Sequence, residues 1–242
     1  MSSLHGIDEA LLLLVNQPAA RIPLLDKLVY DISDSVLLKG GIFLALYWAF
    51  WFKPSARRED ERRDIATVLI CAVIVAVASR LLQIGMPFHR RPLHTPDLGF
   101  RIPFDVSPET LNDWSSFPSD HAVLFFALCV PLWMRSRWLG LAMGGWTLVV
   151  ICLPRVYLGY HYPSDVLAGA VIGIALMLIL RKALAPTRFP DRLVALEKRS
   201  PHLFYGAAFL VTLELAVLFY DVRHIGQDAI RLLKALAASA IS

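Results

Sequence analysis

The chain has 242 residues, 57% of them hydrophobic, and its 24 basic and 20 acidic residues leave a formal net charge of +4. The apolar fraction exceeds that of a typical soluble domain and indicates an integral membrane protein. Basic residues fall in short clusters between apolar runs, which excludes a continuous nucleic-acid-binding surface. Three cysteines lie within apolar runs at spacings that fit neither a zinc site nor a disulfide framework, so we expect them to pack as small apolar residues.

The N-terminal segment, residues 1–35, precedes the first long apolar stretch. Its short apolar run, Leu11 to Val15, lacks a basic flank and follows Asp8 and Glu9, which is unlike a signal peptide. We expect this segment to be amphipathic and to lie at the membrane interface.

Six stretches are apolar enough to cross a bilayer, a distance that takes about 20 residues in a helix. They run roughly over residues 36–52, 65–86, 118–134, 138–156, 165–182 and 203–220. The predicted fold is therefore all-α, a polytopic membrane helix bundle with about six transmembrane helices.

The whole chain, residues 1–242, is predicted to be one membrane domain. Residues 65–182 form its expected core, and residues 203–220 add a further transmembrane helix. The tail, residues 221–242, is predicted to be an amphipathic helix because its apolar residues recur at helical spacing, namely Ile230, Leu233 and Leu236.

Basic residues concentrate in three connections between the apolar stretches. Residues 53–64, 135–137 and 181–199 hold 13 of the chain's 24 lysines and arginines. In a six-helix arrangement these connections share one side, which the positive-inside rule places in the cytoplasm. Both termini, the loop 87–117 and the turn 155–164 then face outward. We therefore expect an inner (plasma) membrane protein with an outward, periplasmic site.

Polar residues with catalytic chemistry cluster at the outward ends of the helices. His161 and Asp165 lie four residues apart across a helix start that Pro163 marks. At this spacing the carboxylate can accept a hydrogen bond from the imidazole Nδ1–H and leave Nε2 free as a nucleophile. Arg155, at the end of the preceding helix, carries a planar guanidinium that suits a phosphoryl group.

A second group is Phe117-Pro-Ser-Asp-His121, in which Pro118 and Ser119 indicate another helix start. Free N–H groups and the positive dipole end of such a start favour phosphate. His121 is expected in the first turn, where it is placed to protonate a leaving oxygen.

A third group, Pro87-Phe-His-Arg-Arg-Pro92, lies just beyond the second apolar stretch. Arg90 and Arg91 give this outward loop a dense positive charge. Arg80 lies inside the apolar run itself, where a charged residue is costly and usually functional.

In order and spacing, the three groups resemble the motifs of the type 2 phosphatidic acid phosphatase family, K-x6-R-P, P-S-G-H and S-R-x5-H-x3-D. Arg91 and the proline after it match the end of the first motif, and residues 118–121 match three of the four positions of the second. Arg155, His161 and Asp165 match the third. The resemblance extends over about residues 65–182 and implies a six-helix membrane enzyme with all three motifs on one face.

Three positions depart from the family pattern. The family lysine falls at Ile84, the family glycine at Asp120, and the family serine before the arginine at Pro154. None of these positions belongs to the His–Asp pair, so the departures concern substrate preference more than reaction type.

The replacement of the family lysine leaves one cation to be assigned. Arg80, His89 and Arg90 are candidates for it, and of these we favour Arg80. Asp120 adds a carboxylate close to His121, where it is expected to tune that histidine or to contact a polar part of the substrate.

The resemblance implies a metal-independent phosphatase that needs no cofactor. His161 would attack phosphorus and form a phosphohistidine, while Asp165 orients it and stabilises its imidazolium form. His121 would protonate the leaving oxygen and then activate the water that releases phosphate. The predicted substrate-binding residues, which hold phosphoryl oxygens or the rest of the head group, are Arg91, Arg155, Ser119, Arg80, Asp120 and Arg90.

The predicted function is hydrolysis of a membrane lipid phosphate or diphosphate at the outer face of the bilayer. Undecaprenyl diphosphate is the first choice, because that carrier lipid is released on the outward side in bacteria. Phosphatidate, phosphatidylglycerophosphate and lipid A phosphates are the alternative substrates. Two other classes stay open: a non-catalytic lipid-phosphate binder or transporter, and a metal-dependent hydrolase that uses His89, His94 and Asp97.

Overall fold

A computed structural model of the chain describes residues 2–222 together with Ile225 and Leu232. Within this part of the chain all regular elements are helical, which confirms the predicted all-α fold. The amphipathic tail predicted for residues 221–242, including its three spaced apolar residues, lies almost wholly outside the described residues.

The α-helices of the described residues follow one another with short connections, except for one long loop before the fifth. They are α1 (Ser2–Asn16), α2 (Pro23–Asp34), α3 (Ile42–Phe52), α4 (Arg58–Gly85), α5 (Asp120–Arg135), α6 (Arg137–Trp146), α7 (Leu153–Tyr157), α8 (Pro163–Leu184), α9 (Phe189–Arg199) and α10 (Pro201–Ala216).

Two turns of π-helix interrupt the regular α-helical geometry. One, Leu37–Gly41, leads into α3, and the other, Thr147–Cys152, joins α6 to α7. The two π-helical turns contact each other. Such turns are rare and are often found at functional sites.

Among the described residues, three continuous helical segments are long and apolar enough to cross a membrane: Arg58–Gly85, Arg137–Tyr157 and Pro163–Leu184. They correspond to the second, fourth and fifth stretches predicted from the sequence. A fourth span results if Pro23–Asp34 and Leu37–Phe52, which meet at a bend of 55°, cross the bilayer as one broken helix.

This bent pair bears on the first predicted stretch. If it crosses as one span, residues 36–52 form its second half and α2 forms its first half. The third and sixth predicted stretches form α5 and α10, which have 16 residues each and fall short of a full crossing by length. The count of six transmembrane helices therefore stays a prediction.

α5 is the central helix of the bundle and packs against α4, α6 and α8. Its contact with α8 is close because two glycines of α8 face it. A Cβ on Gly169 would lie 2.7 Å from the carbonyl oxygen of Ser119, and one on Gly173 would lie 2.0 Å from that of Val123. Two glycines four residues apart on one helix face allow such a close approach, which fixes the starts of α5 and α8 side by side.

Apolar side chains cover much of the bundle's outer surface, as expected where lipid replaces water. Ile84, Leu167 and Trp138 are each about 70% exposed. The three cysteines are buried and unpaired, which confirms their packing role.

One end of the bundle, which we call the basic end, carries the basic connections around α9. Its cations pair with acids from other segments of the chain: Arg62 with Glu197, Arg63 with Asp191, Arg135 with Glu61, Arg181 with Asp64, and Lys198 with Glu59. The candidate site lies at the other end, where α5 and α8 begin.

Candidate active site

The long loop, residues 86–119, is fastened to the turn that carries His161. The Leu93 N–H donates to the carbonyl of Gly159 at 3.0 Å, and within the loop the Ser116 N–H donates to the carbonyl of His89 at 2.8 Å. Gly159 has a φ of +73°, and a Cβ there would lie 2.5 Å from the Phe100 ring. This turn therefore requires glycine both for its backbone conformation and for its close approach to the loop.

His161 is fully buried in the turn between α7 and α8, and its tautomer is fixed by the long loop. Its Nδ1 lies 2.8 Å from the carbonyl oxygen of Ser116. A carbonyl oxygen can only accept a hydrogen bond, so Nδ1 carries the hydrogen and the lone pair resides on Nε2. The ring is thus prepared as a nucleophile.

Asp165 reaches His161 in a different way from the one expected. Its Oδ2 lies 3.9 Å from His161 Nδ1, beyond hydrogen-bond distance, so the predicted direct hydrogen bond is not formed. The carboxylate instead accepts from the Ser116 hydroxyl and from the Tyr162 N–H. Ser116 therefore bridges the pair, because its hydroxyl binds Asp165 and its carbonyl binds His161.

The pKa of His161 is lowered from its ordinary value to about 4. Burial is the main cause, since it disfavours the charged ring, and the nearby positive charge of Arg91 adds to it. Asp165 and Asp120 act in the opposite direction. At neutral pH the ring is therefore uncharged, as a nucleophilic nitrogen must be.

His121 lies in the first turn of α5, as the sequence predicts. Its Nδ1 and its backbone N–H both lie 2.8 Å from Asp120 Oδ1. A carboxylate at Nδ1 fixes this ring in the orientation that presents Nε2, and it stabilises the imidazolium form that an acid catalyst needs. Of the two roles considered for Asp120, tuning the neighbouring histidine is the one that this contact supports.

Among the described residues, the hydroxyl of Ser119 and the Nε–H of Arg155 are buried donors at this end without a hydrogen-bond partner. His89 Nδ1 is also without one, but it already faces the Asp165 carboxylate at 3.4 Å. Ser119 is the N-cap residue of α5, yet its side chain makes no capping hydrogen bond. Buried donors without partners are costly and are rare in native structures. These two are therefore well placed to receive the oxygens of an anion.

Arg91 is nearly fully buried, but most of its guanidinium is already engaged. Its three nitrogens donate to the backbone carbonyls of Trp114, Ser115 and Tyr160. Of its five N–H groups, three are thereby used to hold the long loop against the His161 turn. Burial lowers the pKa of Arg91 to about 10, which still leaves it positive at neutral pH.

Arg80 and Arg90 are less well placed for the missing cation than the sequence implied. The Arg80 guanidinium stacks on the Trp114 ring, 3.3 Å from its centroid, and bonds to Gln83. Arg90 is exposed. His89, the other candidate, has its Nδ1 3.4 Å from Asp165 Oδ1, and this carboxylate raises the pKa of His89.

The residues of the metal-dependent alternative are not assembled as a metal site. His89 faces Asp165, and the His94 ring instead bonds to the carbonyl of Pro108 at 3.0 Å. Throughout the described part of the chain, no group of three or more His, Cys, Asp or Glu side chains is placed to hold a metal ion.

Sequence reasoning missed two residues at this end, Ser116 and Lys39. Ser116 lies outside the matched motifs and is brought to the site only by the folding of the long loop. Lys39 carried a detectable signal, because it is the one charged residue in the apolar stretch 36–52. It is buried, with 8% exposure.

Comparison with known proteins agrees with the motifs. Residues 88–188 match the PAP2 superfamily model, and this segment holds all of the candidate catalytic residues. The resemblance drawn from the three motifs is confirmed.

Two relatives illustrate the similarity. The bacitracin transport permease protein BcrC of Bacillus licheniformis is 23% identical over 164 residues, 66% of this chain and 72% of its own. The undecaprenyl-diphosphatase BcrC of Bacillus subtilis is 26% identical over 154 residues, 62% of this chain and 70% of its own. The match and the relatives support the predicted class, a membrane phosphatase.

One solved structure shares the fold. It is a transmembrane PAP2 type phosphatidylglycerolphosphate phosphatase from Bacillus subtilis, with 19% sequence identity and a TM-score of 0.51. The alignment covers 78% of this chain and 90% of that one. At this identity the likeness concerns the fold alone.

Proposed function

We propose that the protein hydrolyses a lipid phosphate or diphosphate at the outer face of the inner membrane, through a phosphohistidine at His161. The observation that carries the proposal is the hydrogen bond from His161 Nδ1 to the Ser116 carbonyl, which leaves Nε2 available at neutral pH. Two unpartnered donors, on Ser119 and Arg155, lie at the same end of the bundle.

The first half of the reaction transfers the phosphoryl group to the enzyme. Nε2 of His161 attacks phosphorus, the P–O bond to the leaving group breaks, and His121 gives its Nε2 proton to the leaving oxygen. Arg155, Ser119 and the free N–H groups at the start of α5 hold the phosphoryl oxygens. Asp165 offsets the positive charge that His161 acquires, at 3.9 Å and through Ser116.

The second half returns the enzyme to its starting state. The neutral His121 takes a proton from water, the water oxygen attacks phosphorus, and the P–N bond to His161 breaks. Inorganic phosphate leaves, and His161 again carries its hydrogen on Nδ1. All protons are accounted for by the side chains already in place.

Two lines of argument support the substrate and the side of the membrane. A diphosphatase among the relatives agrees with undecaprenyl diphosphate as first choice. Basic residues concentrate at the end opposite the site, and the positive-inside rule assigns such an end to the cytoplasm. We therefore propose that the site faces the periplasm or exterior.

The central experiment measures phosphate release by the purified protein without added metal. Undecaprenyl diphosphate, phosphatidate, phosphatidylglycerophosphate and lipid A phosphates are compared as substrates. We expect turnover with at least one of them, greatest with the diphosphate. His161→Ala should abolish it, whereas His202→Ala, a change at an exposed histidine at the start of α10, should retain it.

Trapping the intermediate tests the mechanism separately. Rapid quenching with a ³²P-labelled substrate should leave acid-labile, base-stable label on the wild-type protein and none on His161→Ala. Full activity in folded His161→Ala protein would disprove the assigned nucleophile.

A lipid-phosphate binder or transporter is the second candidate, since one relative carries the name of a transport permease. It predicts saturable binding of lipid phosphates without release of inorganic phosphate from any of the panel.

A further inference from the structure

Lys39 is a buried cation that the catalytic scheme has not used. It lies in the π-helical turn Leu37–Gly41, at the bend between α2 and α3, and is only 8% exposed. Among the described residues its ammonium group has no hydrogen bond or ion pair. A buried charge of this kind is costly unless a ligand or a counter-charge accompanies it.

The packing around this turn holds Lys39 in one position. The Trp146 indole N–H donates to the Leu38 carbonyl at 2.9 Å, which ties the turn to α6. On another side, a Cβ on Gly40 would lie 2.3 Å from the Cα of Ala216, so α10 packs directly on the backbone. The residues before and after Lys39 thus both make close contacts, which fix the position of its backbone.

Aromatic packing brings the turn of Lys39 next to His121. The ring centroid of Phe43, which follows Lys39 by one helical turn, lies 5.3 Å from that of Phe125, and the His121 ring lies 6.2 Å from the same Phe125 ring. The charges that act on its ammonium are those of Arg155, Asp34 and Asp120. Lys39 in turn acts on His121, together with Arg155 and Asp120. The principal charges acting on His161 are Arg91, Asp165, Asp120 and Arg155, and they do not include Lys39.

The other positions considered for the missing cation either hold no cation or hold one that already has partners. Ile84, at the position of the family lysine, is an apolar residue that is 70% exposed. Arg80 is stacked on Trp114, and most of Arg91 is bound to backbone carbonyls. Within the part of the chain that the structure describes, Lys39 and Arg155 are therefore the buried cations near the site that are left to neutralise a substrate.

We infer that Lys39 binds the leaving group of a diphosphate substrate and thereby selects diphosphates over monophosphates. This inference rests on the proposed function. His121 protonates the leaving oxygen, so a cation beside His121 lies beside the leaving group. When His161 attacks the terminal phosphorus of a lipid diphosphate, the bridging P–O bond breaks and its electron pair leaves with the lipid monophosphate. The ammonium offsets that negative charge, whereas a monophosphate releases a neutral alcohol that needs no such partner.

The test compares kcat/KM for two substrates with the same lipid chain, a polyprenyl diphosphate and the corresponding monophosphate. In Lys39→Met we expect the diphosphate-to-monophosphate ratio to fall by about a hundredfold, the effect of removing one charge-stabilising donor. Lys39→Arg should restore most of it. Lys53→Met, a change at an exposed lysine of the basic end, is the matched control and should leave the ratio unchanged.

The ratio is measured within one sample, so a variant that folds only in part still gives a valid result. An unchanged ratio in Lys39→Met would overturn the inference, whether kcat/KM stays the same for both substrates or falls equally for both. These outcomes are distinct from failure of the proposed function, in which the wild-type protein hydrolyses neither compound.

Discussion

The two ends of the bundle differ in whether their buried polar and charged side chains have partners within the protein. At the basic end, Arg62 and Glu197 form a largely buried ion pair at 2.8 Å, and Arg63 pairs with Asp191 at 2.6 Å. At the site end, the Nε of Arg155 and the hydroxyl of Ser119 are buried without partners. A cation that already has an internal counter-charge stabilises the fold, whereas one without a counter-charge is available to a ligand.

Arg91 shows that position at the site end is not enough to make a residue a ligand for phosphate. Three of its N–H groups hold backbone carbonyls, as an arginine at the basic end holds its acid. Its charge still acts on His161. Whether an arginine is available to bind phosphate therefore depends on the partners it already has, and not on the motif in which it lies.

The largest effect is expected for Arg155→Gln. Removing this unpartnered cation should lower kcat/KM by about 10²- to 10³-fold, because a donor that stabilises the transferring phosphoryl group is lost. The midpoint of thermal unfolding should stay near that of the wild type, since the Nε–H that is removed has no hydrogen-bond partner among the described residues. Phosphate release and unfolding in the same detergent measure both. A large loss of stability with normal turnover per folded molecule would show that Arg155 supports the fold and does not bind the substrate.

Arg62→Gln should show the reverse pattern. Breaking a buried pair leaves Glu197 without its counter-charge and should cost about 3 kcal/mol of unfolding free energy. Turnover per folded molecule should be unchanged. Glu59→Gln is the control, because it removes the exposed pair with Lys198 and should change stability by less than about 1 kcal/mol. Lost turnover in folded Arg62→Gln would contradict the structural role of the basic end.

Ser116→Ala tests whether the bridge between Asp165 and His161 matters. The change removes the hydroxyl that binds Asp165 and keeps the carbonyl that fixes the His161 tautomer. We expect kcat to fall by about tenfold with little change in KM, an effect typical of a supporting hydrogen-bond partner of a catalytic group. Ser116→Thr, which retains the hydroxyl, should recover activity, and Ser115→Ala should have a smaller effect. Unaltered kcat in Ser116→Ala would show that Asp165 acts on His161 directly across 3.9 Å.

The smallest effect concerns pH. With its pKa lowered to about 4, His161 is neutral throughout the range from pH 5.5 to 7.5 and becomes protonated only below it. The nucleophile should therefore cause no loss of kcat/KM as the pH falls through that range, and the acid limb should appear near pH 4. Rates of phosphoenzyme formation by rapid quench measure this limb. An acid limb near pH 6.5 would mean that His161 behaves as a solvated histidine.

Much of the fold followed from the sequence. Apolar runs of spanning length predicted three crossing helices that the structure also has. The 55° bend between Asp34 and Leu37 was not predictable in this way, because neither Ser35 nor Val36 is a proline or glycine that marks a break. The π-helical turn that follows the bend packs against α6 and α10.

The sequence by itself determined the chemistry of the site: two histidines, their acids and an arginine at fixed spacings, each at a helix end. Local spacing can do this because helix geometry sets the positions of residues a few places apart. Only the tertiary structure decided which partner each side chain uses. The Ser116 carbonyl comes to His161 from 45 residues away, and the packing of Phe43 on Phe125 brings the turn of Lys39 toward His121. Contacts of that range depend on how the whole bundle closes, and no local pattern records them.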